Sequence, residues 1–516
     1  MDIDEVYKDI GEFGPFQQKI FWSLSLMQIF CAFHNIHNVY IGAEPSFKCI
    51  HGDKILNSCL KNNVPCDRYA FPGDDFSSIV SEWNLICDQG YKADLVQSFY
   101  MAGFLIGSFL FGFIADSYGR RCVLYSTAFG VSLMTILSVM APSYTVYVTL
   151  RCVTGMLSAG FGMVSFTYTS EVIGQSKRGF MAITFPVMFA VGIAMYSLIA
   201  WFFRDWRYLA LVTATPGVVG FYFYCSVPES PRWLFSQGRV PEAETVLETI
   251  ALKNRGHAPN KAVQLRESSA EDVGHTKQKQ PGIMAAFKHP ELRRRTLNNM
   301  YTWFVNCCVY YGLTIGAGNL GSDMYISVAL SGLIEIPAYF ATWLFLDRIG
   351  RRPSFTWTMM VAAVVCMSIM ALPDGYPNIR TALALCGKIG ISVSFCIAWV
   401  YAAEMYPTNI RNKAMSVCNM TARLGGIFSP LILAVGRSHP SLDFLVFGAM
   451  TFLAALVSMR LPETANVPMP ETIDDLDRPR SSERETILGA AITEDKLKLL
   501  EGEIGALEYE DAEVHT

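Results

Sequence analysis

Gly112-Phe-Ile-Ala-Asp116-Ser-Tyr-Gly119-Arg120-Arg121 joins two apolar runs, Asp94 to Ala115 and Cys122 to Ala141. Each run has the ~20 residues that a helix needs to cross a bilayer. A tight loop of Asp, Gly and two Arg cannot lie in hydrocarbon, so it marks a water face. Arginines beside short loops place that face in the cytoplasm. The pattern returns as Asp347-Arg-Ile-Gly350-Arg351-Arg352, 231 positions later. Tyr168-Thr-Ser-Glu171 returns as Tyr401-Ala-Ala-Glu404 after 233 positions, and Pro228-Glu229-Ser230 as Pro462-Glu463-Thr464 after 234. Three landmarks at nearly one offset mean two homologous halves. The fold class that follows is an all-α membrane protein, with twelve transmembrane helices in two pseudo-symmetric six-helix halves and a substrate site between them.

Composition agrees. The 516 residues are 52% hydrophobic and only 17% charged, where a soluble chain carries about a quarter. The net charge of -4 hides an asymmetry: from Glu471 onward there are 14 acidic and 5 basic residues. Such a tail reads as a solvated cytoplasmic segment, open to a cytosolic partner. Nothing basic enough for nucleic acid is present. Met1-Asp-Ile-Asp-Glu5 lacks the basic start of a cleaved signal peptide, so the first apolar run is expected to stay as a helix.

The domain plan is a cytoplasmic lead at 1–18, a first half at 19–227, a cytoplasmic linker at 228–295, a second half at 296–461 and the tail at 462–516. The loop at 43–92 is expected outside. It holds Cys49, Cys59, Cys66 and Cys87, which suggest two disulfides in any of three pairings. Free thiols are the alternative; zinc lacks the usual closely spaced cysteine pair. Catalytic motifs do not compete. There is no phosphate-cradling Gly-x4-Gly-Lys-Ser/Thr loop, no Gly-x-Ser-x-Gly elbow and no His-Glu-x-x-His. No enzyme, metal site or cofactor is expected.

Gly112 with Asp116 and Gly119-Arg-Arg, duplicated, resembles the loop signature of the major facilitator superfamily. Further stretches resemble one branch, the organic cation, anion and carnitine carriers of the solute carrier 22 type. These are Gly11-Glu-Phe-Gly14, Ser81-Glu-Trp-Asn-Leu-Ile-Cys87, Pro228-Glu-Ser-Pro-Arg-Trp-Leu234, Glu335-Ile-Pro-Ala338, Ala403-Glu-Met-Tyr-Pro-Thr408 and Leu461-Pro-Glu-Thr464. They follow the family's order along nearly the whole chain. The exterior loop departs from the family in being short and free of Asn-x-Ser/Thr sequons.

A mid-membrane site for organic ions needs aromatic faces, each worth ~0.5–2 kcal/mol against a quaternary ammonium, and a few charges that set the sign. Trp303 and Tyr310 are seven residues apart, hence on one helix face. The resemblance places Trp303, Tyr310, Phe161 and Phe189 along the cavity. Glu335, Lys388 and Arg423 are charges inside apolar runs, each costing ~2.5–3.5 kcal/mol or more unpaired, so each faces protein. Glu335 can pair with Lys388 or with Arg423. The resemblance makes Arg423 diagnostic, because the cation carriers place an acid there and the anion and carnitine carriers an arginine. For gating, Asp116, Arg120, Arg121, Asp347, Arg351 and Arg352 are expected to exchange partners with Glu171, Arg178, Glu404 and Arg411.

The expected function is transport of a small organic ion through the plasma membrane by alternating access. Arg423 suits a carboxylate, while Trp303, Tyr310 and Glu335 suit an ammonium, so cations and zwitterions such as carnitine come first. An organic anion carrier is the alternative, and a transporter-like receptor or scaffold the reading from another class. Na⁺ and H⁺ both stay open as coupling ions, because backbone oxygens that hold Na⁺ leave no side-chain signature. The topology has a direct check. In intact cells an impermeant thiol reagent should label a cysteine placed in 43–92 and spare Ser117→Cys; labelling at 117 overturns the scheme.

Overall fold

The computed structural model describes residues 3–51, 54–56, 60–61, 64–65, 68–71, 76–222, 227–255, 284–319, 323–372, 376–407, 410–438, 442–465, 467, 470 and 476. Cys59, Cys66 and nearly all of the acidic tail fall outside them.

The first half comprises α2 (Pro15–Asn35) with α3 (Asn38–Ile41), then α5 (Tyr91–Tyr118), α6 (Arg120–Val139), α7 (Tyr144–Val172), α8 (Arg178–Phe202) and α9 (Trp206–Tyr222). The second comprises α13 (Pro290–Gly316), α14 (Met324–Leu333) with α15 (Glu335–Ile349), α16 (Arg351–Met370), α17 (Pro377–Met405), α18 (Arg411–Ser438) and α19 (Leu442–Ser458). Among the described residues eight spans are long and apolar enough to cross a membrane: α5, α6, α7, α8, α14 with α15, α16, α17 and α18. The others are shorter, as α9 and α19 at 17 residues, or open on polar turns, as α13 with Glu291-Leu-Arg-Arg-Arg295.

Packing repeats the duplication. α6 lies on α7 and α9 as α16 lies on α17 and α19, and α2 lies on α8 as α13 lies on α18. Contacts between halves obey the same pseudo-twofold relation, with α5 against α18 and α14 against α8. Within the first half polar side chains bond across helices, as where Gln28 donates to Ser165 Oγ (2.9 Å) and Ser132 to the Ala214 carbonyl (2.7 Å). In hydrocarbon, where water is absent, such bonds spare the cost of an unmet polar group.

Short elements cap the bundle. On the face away from the arginine loops, β1 (Lys48–His51) pairs antiparallel with β2 (Lys54–Leu56) and β5 (Arg68–Ala70), Cys49 opposing Leu56 and Tyr69. β3 (Leu60–Lys61) pairs with β4 (Val64–Pro65), and α4 is Ile79–Trp83. Sequence reading left this stretch as a loop, since strands of two to four residues show no periodicity of their own. Cys49 and Cys87 are both disulfide-bonded. On the arginine-loop face sit α1 (Ile3–Ile10), α10 (Pro231–Ser236), α11 (Val240–Arg255) and α12 (Ala285–Lys288). Val6, Tyr7 and Ile10 of α1 are buried, and Asn254 of α11 donates to Gln17 Oε1 (2.6 Å), tying α11 to α2.

In the first half α5 packs on α7 backbone to backbone at three glycines. A Cβ at Gly103 or Gly107 would strike backbone of α7, and one at Gly155 would strike the Tyr100 carbonyl. Gly155→Val should therefore cost ~1–3 kcal/mol by overpacking. Gly112→Ala, with open space around the added carbon, should be neutral or stabilise by up to about 1 kcal/mol through helix propensity. Melting temperatures of the purified variants check the contrast.

Candidate functional site

The duplicated loops build two matching charge clusters. Gly119 and Gly350 have φ of 104° and 98°, a conformation costly for other residues. Their turns let a carboxylate sit at the start of the next helix. Glu229 accepts the backbone N–H of Arg120 (3.0 Å) and of Arg121 (3.1 Å) at the N-terminus of α6. Glu463 does the same for Arg351 (2.9 Å) and Arg352 (3.1 Å) at α16. An anion there meets unsatisfied N–H groups and the positive end of the helix dipole. Burial raises the Glu229 carboxyl above the usual carboxylate range, opposed by those N–H bonds. Sequence reading saw the repeated Pro-Glu-Ser/Thr and assigned it no role; its one offset with the arginine loops was the available signal.

Around each cap the arginines are held by acids. Arg120 pairs with Asp116 (2.6 Å) and Glu171 (3.2 Å), and Arg351 with Asp347 (2.9 Å) and Glu404 (3.1 Å). Asp116 and Asp347 are 73% and 79% exposed, so their pairs contribute little. Glu171 and Glu404 are mostly covered. Arg178 donates to the Ser170 carbonyl and Arg411 to the Tyr406 carbonyl, steadying the ends of α7 and α17. All these pairs join residues of one half.

Between the halves a cavity of about 450 Å³ runs from Asp116, Arg120 and Asn412 at the arginine-loop face to Arg423. Its walls are Ser108 and Gly112 of α5, Met163 and Thr167 of α7, and Ser416, Asn419 and Met420 of α18. The volume lies within the range of small-molecule sites. Arg423 stands with its guanidinium 4.5 Å from the Phe104 ring centre, its Nε without a hydrogen-bond partner. Beyond it the halves meet. Tyr311 donates to Asn35 Oδ1 (3.2 Å), Ser98 to the Ile427 carbonyl (2.9 Å), and the Tyr40 and Tyr325 rings stack at 5.5 Å.

The remaining expected residues lie elsewhere. Glu335 and Lys388 form a buried ion pair (2.9 Å), at 0% and 1% exposure. Tyr310 (3.2 Å) and Tyr339 (2.9 Å) both donate to Glu335 Oε2, and Lys388 donates to Ser331 Oγ (3.1 Å) while lying 5.4 Å over the Tyr310 ring. The cluster is charge-neutral and closely bonded. Trp303 is fully buried edge-on to Trp399 (4.7 Å) and Phe395 (6.2 Å). Phe161 is buried against Phe30 (5.9 Å), and Phe189 is half-buried between a core cluster of the first half and one that reaches Ala317 and Val328 of the second. Arg151 of α7, fully buried, escaped the sequence reading. It lies within two turns of the helix start, where arginines commonly snorkel to water.

A family model, "Sugar (and other) transporter", matches residues 76–475. Solute carrier family 22 member 15-like of Xenopus laevis is 37% identical over 93% of this chain and 97% of its own. The organic cation transporter protein of Drosophila melanogaster and organic cation/carnitine transporter 2 of Homo sapiens are each 31% identical, over 92% of this chain and 94% of theirs. Among solved structures, the inward-open xylose transporter XylE from E. coli superposes with a TM-score of 0.65 at 18% identity, over 89% of this chain and 99% of that one.

Breaking the buried pair from one side leaves a bare charge. Glu335→Gln should cost ~3–5 kcal/mol, and adding Lys388→Met should recover most of it. A double-mutant cycle on melting temperature tests this; a double variant that loses the sum of the two single losses would show that the two charges are not coupled.

Proposed function

This chain belongs to the sugar (and other) transporter family, in the solute carrier 22 branch, and from that premise we propose that it carries small organic ions bearing a carboxylate. Zwitterions of the carnitine and betaine type come first. The supporting observation is Arg423, a guanidinium at the inner end of a cavity between the halves, with no acid paired to it among the described residues. Its planar fork suits a carboxylate, which it can hold by two parallel bonds. Phe104 beside it offers a flat apolar wall.

Transport proceeds by alternating access, with the cavity open at the arginine-loop face in this conformation and the Asn35–Tyr311 and Tyr40–Tyr325 contacts closing the other. We place the arginine loops and both termini in the cytoplasm and the protein in the plasma membrane, which makes this the inward-facing state. Closure would bring the Arg120 and Arg351 clusters together, and there they would act as the gate, together with Arg121, Arg352, Arg178 and Arg411. Na⁺ or H⁺ is the coupling ion in this reading, and the acidic tail a docking segment for a cytosolic partner. An organic anion carrier is the second reading, favoured by one fact: Glu335, the acid suited to an ammonium group, is already held by Lys388.

Uptake of a cation, a zwitterion and an anion, with and without sodium, separates the two. Arg423→Asp should abolish zwitterion and anion uptake and spare quaternary ammonium ions. Arg423→Lys should weaken carboxylate substrates by ~1.5–3 kcal/mol, about tenfold to hundredfold. Unchanged zwitterion uptake at normal surface level, by surface biotinylation, removes Arg423 from the site.

A further inference from the structure

Arg151 is the largest charged side chain wholly inside the first half, at 0% exposure. A guanidinium stays protonated in proteins, so its charge must be met where it lies. One nitrogen, Nη2, donates to the His34 carbonyl (3.1 Å), and the Tyr100 ring lies 4.8 Å away. That carbonyl belongs to the last turn of α2, which ends at Asn35 before α3 begins at Asn38. The broken helix end thus presents a partial negative charge, its Ala32, His34 and Asn35 carbonyls taken by the Ile36 N–H, Arg151 and Gln97. That charge is not a full one. Nε and Nη1 have no hydrogen-bond partner, and among the described residues no carboxylate pairs with Arg151. His34, His37, Tyr147 and Tyr196, all buried, are within its electrostatic reach, and none is an acid.

The surroundings repeat the imbalance. Tyr100 and Phe104 stand one turn apart on α5 with ring centres 6.4 Å apart. Arg151 lies over the first and Arg423 over the second. Two guanidiniums, one from each half, therefore bracket a single aromatic pair. The second half offers the contrast, since there Lys388 has its acid.

We propose that Arg151 is the centre of a second anion site, distinct from the cavity at Arg423, which takes one compact monovalent anion: chloride or a small carboxylate. One uncancelled positive charge calls for one negative charge, and the full burial of Arg151 excludes a bulky anion. The open Nε and Nη1 of Arg151 are its donors, with the Tyr100 ring beside them. Because α2 also supplies Asn35 to the contact with Tyr311, an anion here steadies the closed side of the carrier. The site stands independently of the substrate reading, since binding and not uptake tests it.

The test uses the purified full chain in detergent. Sodium gluconate is exchanged for sodium chloride or sodium formate at constant ionic strength, and the melting temperature is followed. A ligand of the folded state raises it saturably. The rise should appear with chloride or formate, persist in Arg423→Gln and vanish in Arg151→Gln. Arg151→Lys, which keeps the charge, should retain it with a higher half-saturating concentration, and carries the test if the glutamine variant does not fold. Whichever anion acts identifies the source, inorganic or organic. Absence of an anion-specific rise in the unmodified chain overturns the proposal. So does a rise that survives Arg151→Gln, or one that Arg423→Gln alone removes.

Discussion

A charge carried into a bilayer has no water to shield it, and nearly every feature of this chain answers that constraint. At the arginine-loop face Arg120 and Arg351 are each met by an acid on a neighbouring helix, Glu171 and Glu404, and Glu229 and Glu463 sit on the N–H groups that open α6 and α16. Deep in the second half Glu335 and Lys388 cancel one another, with two tyrosine hydroxyls satisfying the same carboxylate. The effective dielectric inside protein is well below that of water, so these pairs are strong once formed and costly to break singly. Arg423 and Arg151 are exceptions, with no acid paired to either among the described residues. In a protein that otherwise neutralises its interior, these exceptions are what the two proposed anion-binding roles rest on.

The pseudo-twofold relation explains how the halves can move. Helices within a half are held by close approach, as at Gly103, Gly107 and Gly155 between α5 and α7, where no side chain could be inserted. Helices of opposite halves meet through α5 against α18 and α14 against α8, and these seams are exchanged by the symmetry. A rocking motion that opens one seam's end at one face closes the equivalent end at the other. The arginine-loop clusters are compatible with that motion, because each is complete within its own half and intact while the cavity is open.

Duplication was legible because it is written along the chain: three landmarks at offsets of 231, 233 and 234 residues need no coordinates. Helix spans were legible because apolar length is a local property. Strands β1 to β5 were not, being too short for periodicity and held by partners and by disulfide-bonded Cys49 and Cys87. Trp303 and Tyr310 do share a helix, but Tyr310 points its hydroxyl at Glu335 and Trp303 is wrapped by Trp399 and Phe395.

By itself the sequence determined that this is a two-half membrane carrier, where its helices run and which residue types carry charge inside them. Only the tertiary structure decided which of those charges find each other. Glu335 took Lys388, 53 positions away, and left Arg423 facing Phe104, which lies 319 positions before it. It also drew Arg151 under the broken end of α2, where its place near a helix start would have let it reach water. The reason is geometric: pairing depends on how each helix is rotated about its axis against neighbours distant in sequence, and hydropathy carries no record of that angle.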